Sequence, residues 1–166
     1  MKVFKKILIC TLLLAAAIPA KASEQKLEFS RDLTNVEWRA LLRSYLSFAP
    51  TGDVARAYKA KNIRLLKKFR DNAAAVRFDI NGDGRMDMIA GMMDFESCGS
   101  AGCWAYIFLG KKEGFKAFED FGYTHDNAIT LTGERINGWA TIRTDEATYR
   151  WLGRQYDFIP GPNYKD

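Results

Sequence analysis

The chain has 166 residues, with 25 Lys and Arg against 20 Asp and Glu and a formal net charge of +5. That length supports one domain with a substantial core. The excess charge belongs to one end: Lys2, Lys5, Lys6 and Lys21 stand in the first 22 residues, which carry no acid, and the remainder holds 21 basic against 20 acidic residues. A nucleic-acid surface needs a net basic face, so nucleic acid is not an expected partner.

The first segment reads as an export signal. Three lysines precede an apolar run from Ile7 to Ile18, too short to span a bilayer, which takes about 20 apolar residues. Pro19, Ala20, Lys21 and Ala22 follow, with small residues where a signal peptidase reads them. Cleavage near Ala22–Ser23 leaves a mature domain over 23–166 in the periplasm or outside the cell, in contact with the membrane only during export. Cys10 follows Ile9 inside the apolar run, not at the cleavage point as a lipoprotein requires.

Helices are expected over 30–70. Thr34 can cap a helix, with Glu37 three residues on to complete a capping box and Leu33 able to staple onto Trp38. Trp38, Leu41, Leu42, Tyr45 and Leu46 then form one apolar helical stripe, closed by Pro50 and Gly52. A second helix is expected from Asp53 to about Arg70, with Asn62 as a point of interruption. Arg56, Lys59, Lys61, Arg64, Lys67, Lys68 and Arg70 crowd this stretch; at helical spacing they read as a solvated face.

From Ala74 to about Pro160 the pattern turns to strands. Val76 and Phe78 alternate with polar neighbours, and short apolar or aromatic runs follow at 86–93, 104–109, 115–118, 128–131, 139–142, 149–152 and 156–159. Gly110, Gly114, Gly133, Asn137, Gly138 and Gly153 separate most of them. Leu152, Gly153 and Arg154 read as a hairpin tip. The fold class is therefore α+β, with two N-terminal helices followed by an antiparallel β-meander of six to eight short strands.

After processing, Cys98 and Cys103 remain. An even pair in an exported chain reads as a disulfide. Redox pairs sit as Cys-x-x-Cys at a helix start, whereas this pair spans four small residues, so a structural clip on a turn is expected.

Between the first two expected strands lies a loop with its own chemistry. Asp79, Asn81, Asp83 and Asp87 fall at positions 1, 3, 5 and 9, Gly84 at the sharp turn of position 6, and Arg85 at position 7, where a backbone carbonyl is used. Calcium takes six to eight oxygens in flexible geometry, and this spacing wraps them round one point. Three carboxylates so close repel one another unless a cation lies between them. Turn chemistry alone favours Asn, Gly and Asp here but does not account for Asp87.

Residues 76–91 resemble the FG-GAP or VCBS type of calcium loop, in which an EF-hand-like turn joins two strands. The likeness continues loosely into Cys98–Cys103 and the strand after it, an order similar to that of small bacterial periplasmic proteins with one such loop before a CGSxGC turn. The resemblance implies Ca2+ held by Asp79, Asn81, Asp83, Arg85 and Asp87. The EF-hand's bidentate Glu at position 12 is replaced by Ala90, so affinity is expected at roughly 10⁻⁴ to 10⁻³ M unless Asp94 or Glu96 contributes. A single copy of the loop argues against a propeller.

Catalytic constellations are thin. His125 is the one histidine; a triad also needs a nucleophile and an orienting group. Glu119 and Asp120 are adjacent acids that nothing singles out. Abundant aromatics in the strands serve a core, and on alternate positions face outward. The expectation is an exported, calcium-stabilised, non-enzymatic binding module for a protein or a cell-envelope glycan, one version being an inhibitor or immunity-type protein. The rival expectation is a small envelope hydrolase using His125 or carboxylates.

Overall fold

The computed structural model describes residues 23–93, 98, 102–124, 128–162 and 164. The expected export signal, His125, Asp94 and Glu96 lie outside the described residues. No helix among the described residues is long and apolar enough to cross a membrane.

Among those residues the fold is mixed α+β and mostly sheet: β1 (Gln25–Glu28), α1 (Asn35–Phe48), α2 (Asp53–Lys59), α3 (Ile63–Asn72), β2 (Ala73–Phe78), β3 (Asp87–Met92), β4 (Cys103–Lys111), β5 (Gly114–Thr124), β6 (Ala128–Ile136), β7 (Trp139–Arg143), β8 (Ala147–Trp151) and β9 (Tyr156–Pro160). Two antiparallel sheets replace the single meander expected. One runs β2-β3-β4-β5 and the other β1-β6-β7-β8-β9.

The expected helix pair is corrected in two ways. A strand precedes the helices: β1 pairs with β6, Leu27 opposite Ile129, and its one apolar residue among polar neighbours gives no alternation to read. The second expected helix is two helices. Lys61 takes a left-handed φ of 52°, and Asn62 restarts the chain as an N-cap, its side chain accepting from the Leu65 N–H at 3.0 Å. The strand count rises to nine because β1 joins the eight runs visible in sequence.

α1 forms as its residues dictate. The Thr34 hydroxyl accepts from the Glu37 N–H, and Glu37 Oε2 accepts from the Thr34 N–H at 2.7 Å. Trp38 and Leu41 then face the first sheet together with Leu33. Glu37 also reaches across to that sheet. Its buried carboxylate takes Nε and Nη2 of Arg77 on β2 at 2.5 and 2.9 Å. The Arg77 guanidinium holds the Glu37 carboxyl below its usual range, against burial. One carboxylate thus caps the helix and fastens it to the sheet.

The β2–β5 sheet is the middle of three layers. Met88, Ala90, Tyr106 and Phe108 face the helices, while Val76, Phe78, Ile89, Ala105 and Ile107 face Ile129, Ile142, Tyr149 and Trp151 of the second sheet. All six residues of β3 are buried, as a strand covered on both faces must be. Two bulges shape β5. Phe121 and Phe118 have no partner in the β4 register, so the strand turns both rings toward the second sheet. Phe121 stacks on Tyr149 at 4.3 Å, and Phe118 on Trp139 at 5.1 Å. Those bulges also break the alternation, which is why only 115–118 of this eleven-residue strand is visible in the sequence.

Candidate metal loop

Residues 79–86 connect β2 to β3, two strands whose register closes on Phe78 opposite Asp87. The expectation that strands flank the loop is met. Asp79 organises its first half. Its Oδ1 accepts from the N–H of Gly82 at 2.7 Å and of Asp83 at 3.2 Å, and its Oδ2 from the N–H of Gly84 at 2.9 Å. Asn81 Oδ1 accepts from Asp83 N–H at 3.0 Å, and Asp83 Oδ1 from Arg85 N–H at 2.9 Å. The chain is thus wound round the side-chain oxygens at positions 1, 3 and 5. The Arg85 guanidinium lies 3.9 Å from Asp83 Oδ2.

Asp87 stands apart from these three. It is fully buried, its Oδ2 accepts from the Ile80 N–H at 2.9 Å, and its Oδ1 from the Gly110 N–H at 2.7 Å. Burial pushes its carboxyl above the usual range, and the backbone N–H groups of Gly110, Ile80 and Asn81 oppose that. In this arrangement Asp87 is a clamp, tying the start of the loop to β4. The Asn81 N–H is a third backbone donor to this carboxylate, which leaves one of its roughly four acceptor sites.

The loop is seated on the β6–β7 hairpin. Arg135 Nη2 donates to the Asp79 carbonyl at 2.8 Å and its Nη1 to the Gly138 carbonyl at 2.5 Å. The Ala140 N–H donates to the Ile80 carbonyl at 2.8 Å, and the Ile80 side chain enters the core between the sheets. Backbones meet closely here: a Cβ at Gly82 would lie 3.0 Å from the Gly138 carbonyl oxygen, and one at Gly138 3.0 Å from that of Asn81. Both glycines have positive φ, so each is required twice, for conformation and for space. The sequence marks Gly138 as a turn residue; nothing in it marks Arg135 as the seat of the loop.

No protein-family model, curated protein or solved structure matches the chain. Its chemistry is therefore read from its own residues. Asp79, Asn81 and Asp83 supply hard oxygens on one short loop, the donor type that calcium takes. Among the described residues no three His, Cys, Asp or Glu side chains converge as a metal cluster, because Asp87 is turned to the core and Asn81 stands where a third acid would. Carboxylate and amide oxygens are the donor type of hard cations, not of metals that take thiolate or imidazole.

The remaining expected residues are placed as follows. Cys98 and Cys103 are at disulfide distance, with Cα atoms 4.3 Å apart. Glu119 and Asp120 do not form a pair: Glu119 accepts from the Tyr156 N–H at 3.1 Å, whereas Asp120 is hydrogen-bonded to Trp104. Burial raises both carboxyls. Much of the aromatic content is core. Trp139 and Trp151 stack at 3.9 Å and 9°, and the Tyr156 hydroxyl donates to the Ala140 carbonyl at 2.8 Å.

Proposed function

We propose that this chain is an exported, non-enzymatic binding module of the periplasm, clipped by Cys98–Cys103 and ordered by calcium at Asp79, Asn81, Asp83, Arg85 and Asp87. Its partner is a protein or a cell-envelope glycan, in the manner of an inhibitor or immunity-type protein. The observation that carries the reading is the winding of the loop round Asp79, whose two oxygens hold three N–H groups of its own turn. That winding presents the oxygens of Asn81 and Asp83 on the same short loop, and the FG-GAP-like spacing supports the same ion. In the proposed holo form these groups and the Arg85 carbonyl hold calcium, which neutralises carboxylates that otherwise repel.

The test is thermal unfolding of the mature protein in excess EDTA and then in calcium. An ion present at tenfold its dissociation constant adds about 1.4 kcal/mol, a rise of about 4 °C for a domain of this size. Asp83→Ala should abolish the rise. An unchanged midpoint in the wild type at 10 mM calcium (about tenfold above the weak end of the expected affinity range) reduces the loop to an ordinary turn.

A further inference from the structure

We propose that the open edge of β5, together with α1, forms a groove that takes an extended acidic segment of a partner protein as an added strand. The inference rests on the binding-module reading and names its surface. Two hollows of about 340 and 320 Å³ lie side by side between α1 and β5, sharing Ala40, Arg43 and Phe115. At one end Val36 meets the β4–β5 tip, where a Cβ at Gly114 would lie 3.2 Å from Val36 Cγ1. At the other, exposed Phe48 stacks on Tyr106 at 5.3 Å. The helix wall between Val36 and Phe48 is about 18 Å long, the span of five to six extended residues, roughly.

The backbone of β5 is turned the right way. Gly110 is opposite Phe115 in the ladder, yet its N–H is given to Asp87 on the other side. That pair is therefore a non-bonded one, and bonded pairs alternate with non-bonded pairs. Phe115 and Ala117 accordingly direct their N–H and C=O groups away from β4, into the groove. Of the three other sheet edges, two are blunted and the third, β1, is only four residues long. Ser30 exchanges backbone hydrogen bonds with Ala75 along β2, and on β9 Glu119 occupies the Tyr156 N–H while Pro160 has none to offer. Charge selects the occupant: Arg39, Arg43 and Lys116 line the hollows against one acid, Glu113. Strand addition supplies affinity through main-chain bonds, and side chains on alternate positions supply specificity.

The experiment uses the exported, processed protein and a blocked hexapeptide of alternating Asp and Val. Backbone amide shifts are followed by NMR, with and without chelator. The acidic peptide should shift the Phe115 and Ala117 amides saturably and bind at least roughly tenfold tighter than its Lys-for-Asp counterpart. N-methylation of alternate peptide amides should abolish binding, as should Ala117→Pro, a substitution that an outward edge position tolerates. Arg39→Glu with Arg43→Glu should reverse the charge preference. Equal binding of both peptides, or shifts that avoid β5, would overturn the proposal. A concentration-dependent dimer dissolved by Ala117→Pro would also overturn it, since the edge would then serve a second copy. Peptide binding without any calcium effect on unfolding removes the ion and keeps the groove; a calcium effect without peptide binding removes the groove alone.

Discussion

The sharpest consequence of the loop's geometry concerns Asp87. Replacing it by Ala leaves the N–H groups of Ile80 and Gly110 without acceptors in a buried setting. Each orphaned group costs about 1–3 kcal/mol. Relief from burying a carboxylate, whose pKa is raised by that burial, offsets part of this, so Asp87→Ala should destabilise by about 3 kcal/mol. For a domain of this size that is about a 10 °C fall in midpoint. The assay is urea or thermal unfolding in EDTA, where any calcium term is absent. Asp83→Ala, on the exposed side of the same loop, is the reference, with an expected loss within about 0.5 kcal/mol in EDTA. A loss below roughly 1 kcal/mol for Asp87→Ala in EDTA, with a larger gap to the wild type opening only when calcium is added, would refute the clamp and make Asp87 a ligand alone.

Other outcomes follow from the same structure. Glu37→Ala removes a helix cap and leaves Arg77 half-buried without its carboxylate. It should cost about 3 kcal/mol, and Glu37→Leu with Arg77→Met should recover most of the loss in a double-mutant cycle. Because the folded-state pKa of Glu37 is lowered, its contribution is complete above the unfolded carboxylate pKa. It fades as pH falls below about 4.5 and through the lowered value; the stability gap between the wild type and Glu37→Gln should therefore be constant above that pH and close below it. Reducing Cys98–Cys103, or replacing both by Ala, should cost about 2 kcal/mol, since so short a loop gains little from closure. A midpoint unchanged by reductant would show that the bridge fastens nothing beyond its own turn.

Local chemistry was the legible part of this fold. The capping box at Thr34 and Glu37, the eight later strand runs and the β8–β9 tip at Leu152–Arg154 rest on contacts a few residues apart. What escaped depends on partners far along the chain. β1 is a strand because β6 accepts it, not because Gln25–Glu28 alternates. The division into two sheets depends on where a ladder stops, and periodicity is silent on that. The bulges at Phe118 and Phe121 displace the very pattern by which a strand is recognised. At the loop, spacing picked out Asp79, Asn81 and Asp83 as neighbours. It could not separate the inward role of Asp87 from theirs, because that role is set by Gly110 on β4. Arg135 carried no signal, since its three acceptors are backbone carbonyls.

The pairing of β1 with β6 sets synthesis against assembly. Lys26 finds Thr130 across the ladder, and Glu24 meets Arg143 at 2.7 Å. The first described residues made are thus held by residues made about a hundred positions later, and that closure must wait for nearly the whole chain. Until then β6 has a bare edge, open to any strand that arrives sooner. Gln25–Glu28 therefore stay without their ladder until β6 has been made, and through that interval two strand edges stand open at once.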